Sequence, residues 1–230
     1  MFEGWTRRQF MQVSGMVLLA QQGRMAVALR PEKLPTYAYV AADDCLHVLQ
    51  SRQGAWQLVQ TVESPAPSAV TLSAKSDLLF VANALTHVEG LPTGSVESYR
   101  VDVHTHTIRL VGRATLGLAA VMPHALALSP DGSLLVVAAS RGVYNLLPVE
   151  QDGALGEVTA ARKELVLAAN IASTKMRFVD REQLQVQDAR GSRLYRCDRD
   201  GLQLLGSTCY TPDEDEPDLL LPGQRSIAFA

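Results

Sequence analysis

The sequence predicts an all-β fold: about four four-stranded antiparallel sheets, with the last strand of the chain completing the first sheet. Three observations lead there. The stretch PSAVTLSAKSDLLFVAN (67–83) returns 56 residues later as PHALALSPDGSLLVVAA (123–139), with weaker copies at 36–42 and 178–188. Between the copies, short runs rich in Val, Leu and Tyr alternate with polar corners, and none is long enough for a helix. The final residues GQRSIAFA (223–230) repeat the opening of the same line, with Ala228 falling on Ala127. A four-stranded unit repeated every ~40–50 residues marks a β-propeller blade, which cannot bury both faces alone and packs on its neighbours.

The elements follow in order. TYAYVAA (36–42) opens the first unit on its second strand, because no innermost strand precedes it. SIAFA (226–230) is written as that missing strand, so pairing it there leaves no open edge. The second unit runs from 67 and ends its second strand on FVAN (80–83). The third places ALALS, a Pro-Asp-Gly corner (130–132), LLVVAA, VYNLLPV (143–149), the turn EQDGALGE (150–157) and a fourth strand from Val158. The fourth reads less clearly, with SRLYRCD (192–198), a turn at Arg199–Asp200 and GLQLLGS (201–207).

The N-terminus is of another kind. Thr6-Arg7-Arg8-Gln9-Phe10 precedes a short apolar run (13–20) and the small-x-small triplet Ala26–Ala28. The run is shorter than the roughly 20 apolar residues that span a bilayer. The pattern resembles a twin-arginine export signal, so residues 1–28 are expected to be removed and 29–230 to form the propeller domain. Export by the twin-arginine machinery to the bacterial periplasm or exterior is the corresponding expectation. Of 230 residues, 47% are apolar and 20% charged, with net charge −3, as in an ordinary domain with a substantial core. No basic stripe with interleaved aromatics suggests a nucleic-acid partner.

The corner PHALALSPDGSLLVVA (123–138), the FVAN strand end and the hairpin LLPVEQDGALGE (146–157) resemble the lactonase family, seven-bladed propellers related to bacterial 6-phosphogluconolactonase. The resemblance implies a propeller and, as activity, hydrolysis of a sugar-derived lactone without nucleotide or metal cofactor. The mature chain has room for about four blades where the family has seven. That difference keeps a second reading open: a non-catalytic propeller that binds a ligand or protein, with a homo-oligomer as one form.

Propeller geometry sorts the polar residues. Loops leading into the first strand of a blade and loops joining its second and third strands share one end, where ligand sites usually lie. That end is expected to hold Asp43, Asp44, His87, Glu89, His124, Arg141, Asp188 and Arg190. His124 follows Pro123 and matches a Pro-His position of the family, so the resemblance assigns it as base or carbonyl-oxygen donor, with Arg141 as anchor for an anionic group. A loop histidine bonded to backbone and a solvated arginine are the plainer alternatives. Asp43, Asp44, His87, Glu89, Asp188 and Arg190 are candidates for substrate binding. His104 and His106 fall at an outer hairpin turn on the opposite end, without a third ligand, so no metal site is expected. The acidic run 211–218 lacks the glycine and spacing of a calcium loop. Cys197 is placed opposite Leu202, out of register with Cys209, and a pairing of Cys45 with Cys209 is left open.

Overall fold

The computed structural model describes residues 36–52, 55–75, 77–164, 174–188, 191–209 and 227–229. The chain divides into Met1–Leu34 and Pro35–Ala230, and every described residue belongs to the second unit. The expected signal segment, Arg190 and the acidic run 211–218 lie outside the described residues.

The described residues form four four-stranded antiparallel sheets. The first contains β1 (Tyr37–Ala42), β2 (Cys45–Arg52) and β3 (Ala55–Glu63). The second contains β4 (Pro67–Leu72), β5 (Leu78–Asn83), β6 (Ser95–Val101) and β7 (Ile108–Thr115). The third contains β8 (Ala125–Leu128), β9 (Leu134–Ala139), β10 (Val143–Pro148) and β11 (Ala160–Lys163). The fourth contains β12 (Lys175–Phe178), β13 (Gln183–Asp188), β14 (Gly191–Asp198) and β15 (Gly201–Cys209). The last strand, β16 (Ile227–Phe229), joins the first sheet in the order β16-β1-β2-β3. Its register places Ala228 opposite Tyr39, as Ala127 of β8 lies opposite Val136.

The second strands β5 and β9 are apolar on both faces and buried throughout because each is covered by a sheet on either side. Alternate residues enter different cores. Leu79 and Val81 join Tyr39, Leu46 and Val48 between the first two sheets. Phe80 and Ala82 join Leu126, Leu135 and Val137 between the second and third. Val136 and Ala138 pack with Leu184, Val186 and Tyr195 between the third and fourth. Burial of this kind contributes ~1.5–3 kcal/mol for each large apolar side chain.

The third strands carry a second repeat. Glu97, Asn145 and Arg193 lie opposite Val81, Val137 and Val186, the same position in three sheets. Each bonds the segment that arrives from the preceding sheet. Ser64 Oγ donates to Glu97 Oε2 at 2.5 Å, Gly117 N to Asn145 Oδ1 at 2.6 Å, and Arg193 Nη1 to Glu164 Oε2 at 3.0 Å. Polar groups thus pin the linkers between sheets, while apolar groups fill the space between the strands.

β16 completes the first sheet, as expected, while closure of a ring is not detected among the described residues. β1 and β16 pack on β4, β4 and β5 on β8, and β8 on β12; among the described residues no comparable packing joins the fourth sheet to the first. In the fourth sheet Leu184 and Val186 face the third sheet, whereas Gln183, Gln185 and Gln187 alternate with them, beside the exposed Lys175, Arg177 and Arg196.

The outer turn at His104–Thr107 is also more than surface. His106 stacks on Tyr37 with ring centroids 3.8 Å apart, and Tyr39 OH donates to the His106 carbonyl at 3.2 Å. The turn therefore ties the second sheet to the first. Cys197 lies opposite Leu202, as expected, and is buried against the third sheet, where burial pushes its thiol up to about 12. The side chain of Cys209, and with it the question of Cys45, lies outside the described residues.

Candidate functional site

One end of the sheets gathers the loops before β4 and β8 with the connections after β1, β5, β9 and β13. The most constrained backbone is here. Of the six non-glycine residues with left-handed φ among those described, five belong to these loops: Ala66 at 46°, Glu89 at 51°, Ala119 at 68°, Met122 at 49° and Arg141 at 61°. Such conformations cost on the order of 1–3 kcal/mol each and persist where surrounding structure over-determines them. Met122 is the sharpest case, because a residue before proline is driven towards extended backbone.

The surroundings supply the restraint. Met122 N donates to the Leu85 carbonyl at 2.8 Å, Ala119 N to Pro92 O at 2.9 Å, and Gly94 N to Ala120 O at 2.9 Å. The connection from β5 to β6 is thereby laced to the linker that enters β8. Gly94 abuts Pro123, and a Cβ at that position would strike the proline ring. Ser140 N donates to Val121 O at 2.9 Å, and His124 N to Ala138 O at 2.9 Å.

His124 sits within this clamp, half-buried. Its Nδ1 lies 3.3 Å from the Met122 carbonyl oxygen. A carbonyl can only accept, so the ring hydrogen sits on Nδ1 and the lone pair on Nε2. Burial pushes the ring below its ordinary value, with the Met122 carbonyl pulling the other way. Arg141 stands in the three-residue turn Ser140–Gly142 between β9 and β10 of the same sheet. It is exposed, and among the described residues its guanidinium makes no hydrogen bond.

The other candidates divide. His87 and Glu89 are exposed on a small hairpin in which Val88 bridges Leu91; His87 Nδ1 lies 3.3 Å from Thr86 Oγ1. Asp43 is exposed in the turn after β1. Asp44 is taken up in structure: its carboxylate accepts from Ala66 N at 3.3 Å and its carbonyl from Ser64 N at 3.1 Å. Asp188 pairs with Arg193, which also holds Glu164, while Tyr195 OH donates to Glu164 at 2.6 Å. This cluster locks the third and fourth sheets together. The structure thus brings His124 and Arg141 to one sheet end, while Asp44, itself exposed, and Asp188 each make a bond at a joint between sheets. Sequence reasoning missed Ser68, Met122 and Ser140 around His124, because two of them act through backbone groups and the third through a local irregularity of its strand. Among the described residues no group of three metal-ligating side chains is assembled.

A family model described as lactonase, 7-bladed beta-propeller matches residues 44–169. Among solved structures, the periplasmic gluconolactonase of Pseudomonas aeruginosa is similar at 21% identity with a TM-score of 0.60, over 73% of this chain and 52% of that one. A protein of Bacteroides uniformis proposed to be a 6-phosphogluconolactonase is similar at 14% identity with a TM-score of 0.61, over 76% of this chain and 55% of that one. A functionally unknown protein of Desulfotomaculum acetoxidans follows at 16% identity and a TM-score of 0.55, over 71% and 50%. The chain spans about half the length of these structures, and at these identities the likeness is one of fold. No curated protein matches the sequence.

Proposed function

The chain belongs to the lactonase family of β-propellers, and from that premise we propose that it hydrolyses the ester of a sugar-derived lactone, with His124 as general base and Arg141 as anchor for an anionic substituent. One observation carries the reading: the Met122 carbonyl fixes the His124 tautomer so that Nε2 carries the lone pair. Burial keeps the ring neutral near pH 7, which is the form a base requires.

The chemistry follows. A water hydrogen-bonded to Nε2 attacks the lactone carbonyl carbon as the imidazole takes its proton. The tetrahedral oxyanion collapses, the ring C–O bond breaks, and the departing alkoxide takes the proton back from the imidazolium. The product is the open hydroxy acid. No nucleotide or metal enters this scheme. Arg141 presents five N–H donors suited to a carboxylate or phosphate.

A panel of aldonolactones, followed by acid release in a pH-stat, tests the reading. The expected result is hydrolysis well above the spontaneous rate, lowered roughly 100-fold or more in His124→Ala. Because the ring titrates below its ordinary value, kcat/KM should reach its plateau at a pH below that of free imidazole, about 6.5. Absence of acceleration across the panel would leave the second reading, a binding propeller. The commitment of Asp44 and Asp188 to structural contacts favours that alternative.

Residues 1–28 belong to the same reading as a twin-arginine signal that delivers the folded domain to the periplasm or beyond. Replacing Arg7 and Arg8 by Lys should hold the precursor in the cytoplasm, and unchanged export of that variant would refute it.

A further inference from the structure

Ser68 is out of step with its strand. On β4, Val70 and Leu72 pack towards the first sheet and Ala69 towards the third. By that alternation the side chain two residues before Val70 should also face the first sheet. It does not. The register shifts between Pro67, opposite Asn83, and Ala69, opposite Ala82, so Ser68 is the extra residue of a β-bulge. The preceding Ala66 has φ 46°. The irregularity turns the hydroxyl towards the third sheet, where Ser68 Oγ lies 2.6 Å from the Pro123 carbonyl oxygen. Ala82 O, on its own sheet, lies farther away at 3.0 Å. The hydroxyl has one hydrogen to give, and the shorter bond goes to the peptide that carries His124.

We propose that Ser68 is a positioning residue for His124, a hydroxyl swung by a bulge in one sheet to hold the backbone that presents the imidazole of the next. This rests on the reading of His124 as general base. The Pro123 carbonyl and the His124 amide belong to one peptide plane. His124 N donates to Ala138 O on one side, and Ser68 holds the carbonyl on the other. Together these bonds fix the plane, and with it the direction in which the ring leaves the backbone. Bulges beside functional sites are a known way of re-aiming a side chain. A base displaced by about an ångström can lose on the order of 100-fold in rate.

Three variants and two readouts test this. Ser68→Ala removes the hydroxyl, Ser68→Thr keeps it, and Ser68→Cys offers a near-isosteric weak donor should the alanine variant fail to fold. The first readout is lactone hydrolysis. Ser68→Ala should lower kcat about 10- to 100-fold with KM changed less than twofold, and Ser68→Thr should restore most of it. The second readout is the pH titration of the His124 ring followed by NMR, which needs no activity. Ser68→Ala should shift its midpoint and ring resonances, and Ser68→Thr should not. An alanine variant with wild-type kcat and pH profile overturns the proposal. So does one that loses rate while the His124 titration stays as in wild type. If the wild-type protein hydrolyses no lactone, the base assignment fails on its own account. The NMR arm then decides separately whether Ser68 positions the ring: a shift in Ser68→Ala sustains it, and an unchanged titration overturns it.

Discussion

Glu97 shows what a single buried charge demands of its surroundings. Its side chain is 1% exposed, while that of its partner Arg113 is 47% exposed. Burial alone would raise its pKa, but Ser64, Arg113, Tyr99 and Asn83 all donate to the carboxylate, and the net result is lower than usual. Tyr99 is correspondingly harder to ionise, through burial and then its neighbour's charge. The sign of the linkage follows. A carboxylate stabilised in the fold contributes above its unfolded pKa, about 4.3, and that contribution is lost as pH falls through the lower folded value. Glu97→Gln should therefore cost on the order of 1–3 kcal/mol at pH 7. The exposed Arg113 limits the ionic share. Thermal melts from pH 7 to pH 2.5 should show the two proteins converging at the acid end. A difference that persisted undiminished there would mean that packing, not charge, is what Glu97 supplies.

At the scale of elements, the outermost strands repeat a device. Val59 of β3, Val111 of β7 and Leu205 of β15 are each the extra residue of a bulge, at the same register against their neighbours. The sequences Gln57-Leu58-Val59-Gln60, Arg109-Leu110-Val111-Gly112 and Gln203-Leu204-Leu205-Gly206 mark the place. Bulges twist exposed edges away from pairing with other chains. The opposite problem arises at β1, whose inner edge would be bare without β16. Three residue pairs join them, Ala38 with Phe229, Tyr39 with Ala228 and Val40 with Ile227. Deleting residues 227–230 should cost about 2–4 kcal/mol in lost pairing. That corresponds to roughly 5–15 °C in Tm. A truncated protein that melts with the full chain would show that β16 adds nothing to the first sheet.

For the molecule as a whole, the fourth sheet has, among the described residues, the composition expected of a cap. Stacked repeats need a terminal unit with one apolar and one polar face. Leu184, Val186, Tyr195 and Leu202 meet the third sheet, while the other face carries Gln183, Gln185 and Gln187 beside the exposed Lys175, Arg177 and Arg196. Replacing Gln183, Gln185 and Gln187 by Val, the kind of residue found at the equivalent positions of β5 and β9, should produce self-association at micromolar concentration in sedimentation velocity. Gln185→Arg should leave the sedimentation of the wild-type protein unchanged. If that arginine instead dissociates a wild-type oligomer, the face is an interface and not a cap.

The blades were legible because their determinants are local and repeated. Apolar alternation, the Pro-Asp-Gly corner and the matching strand ends located the four sheets, and Ala228 falling on Ala127 located the partner of β1. The resemblance carried by residues 123–157 led to the family. His124 and Arg141 could be assigned to one end because strand direction alone decides which loops share it. The structure decided what periodicity cannot express. Gln183, Gln185 and Gln187 alternate with apolar residues as any strand does, and only the packing shows that it is the apolar half that meets the third sheet. That Asp44 and Asp188 also make bonds at the joints between sheets is likewise visible only in the structure. Ser68 reads as an ordinary strand residue, since a bulge depends on the register of two strands and leaves no mark on either alone. The His124 tautomer depends on a carbonyl held in a left-handed turn by a loop from another sheet. Contacts between elements distant in sequence set these features, and no local pattern records them.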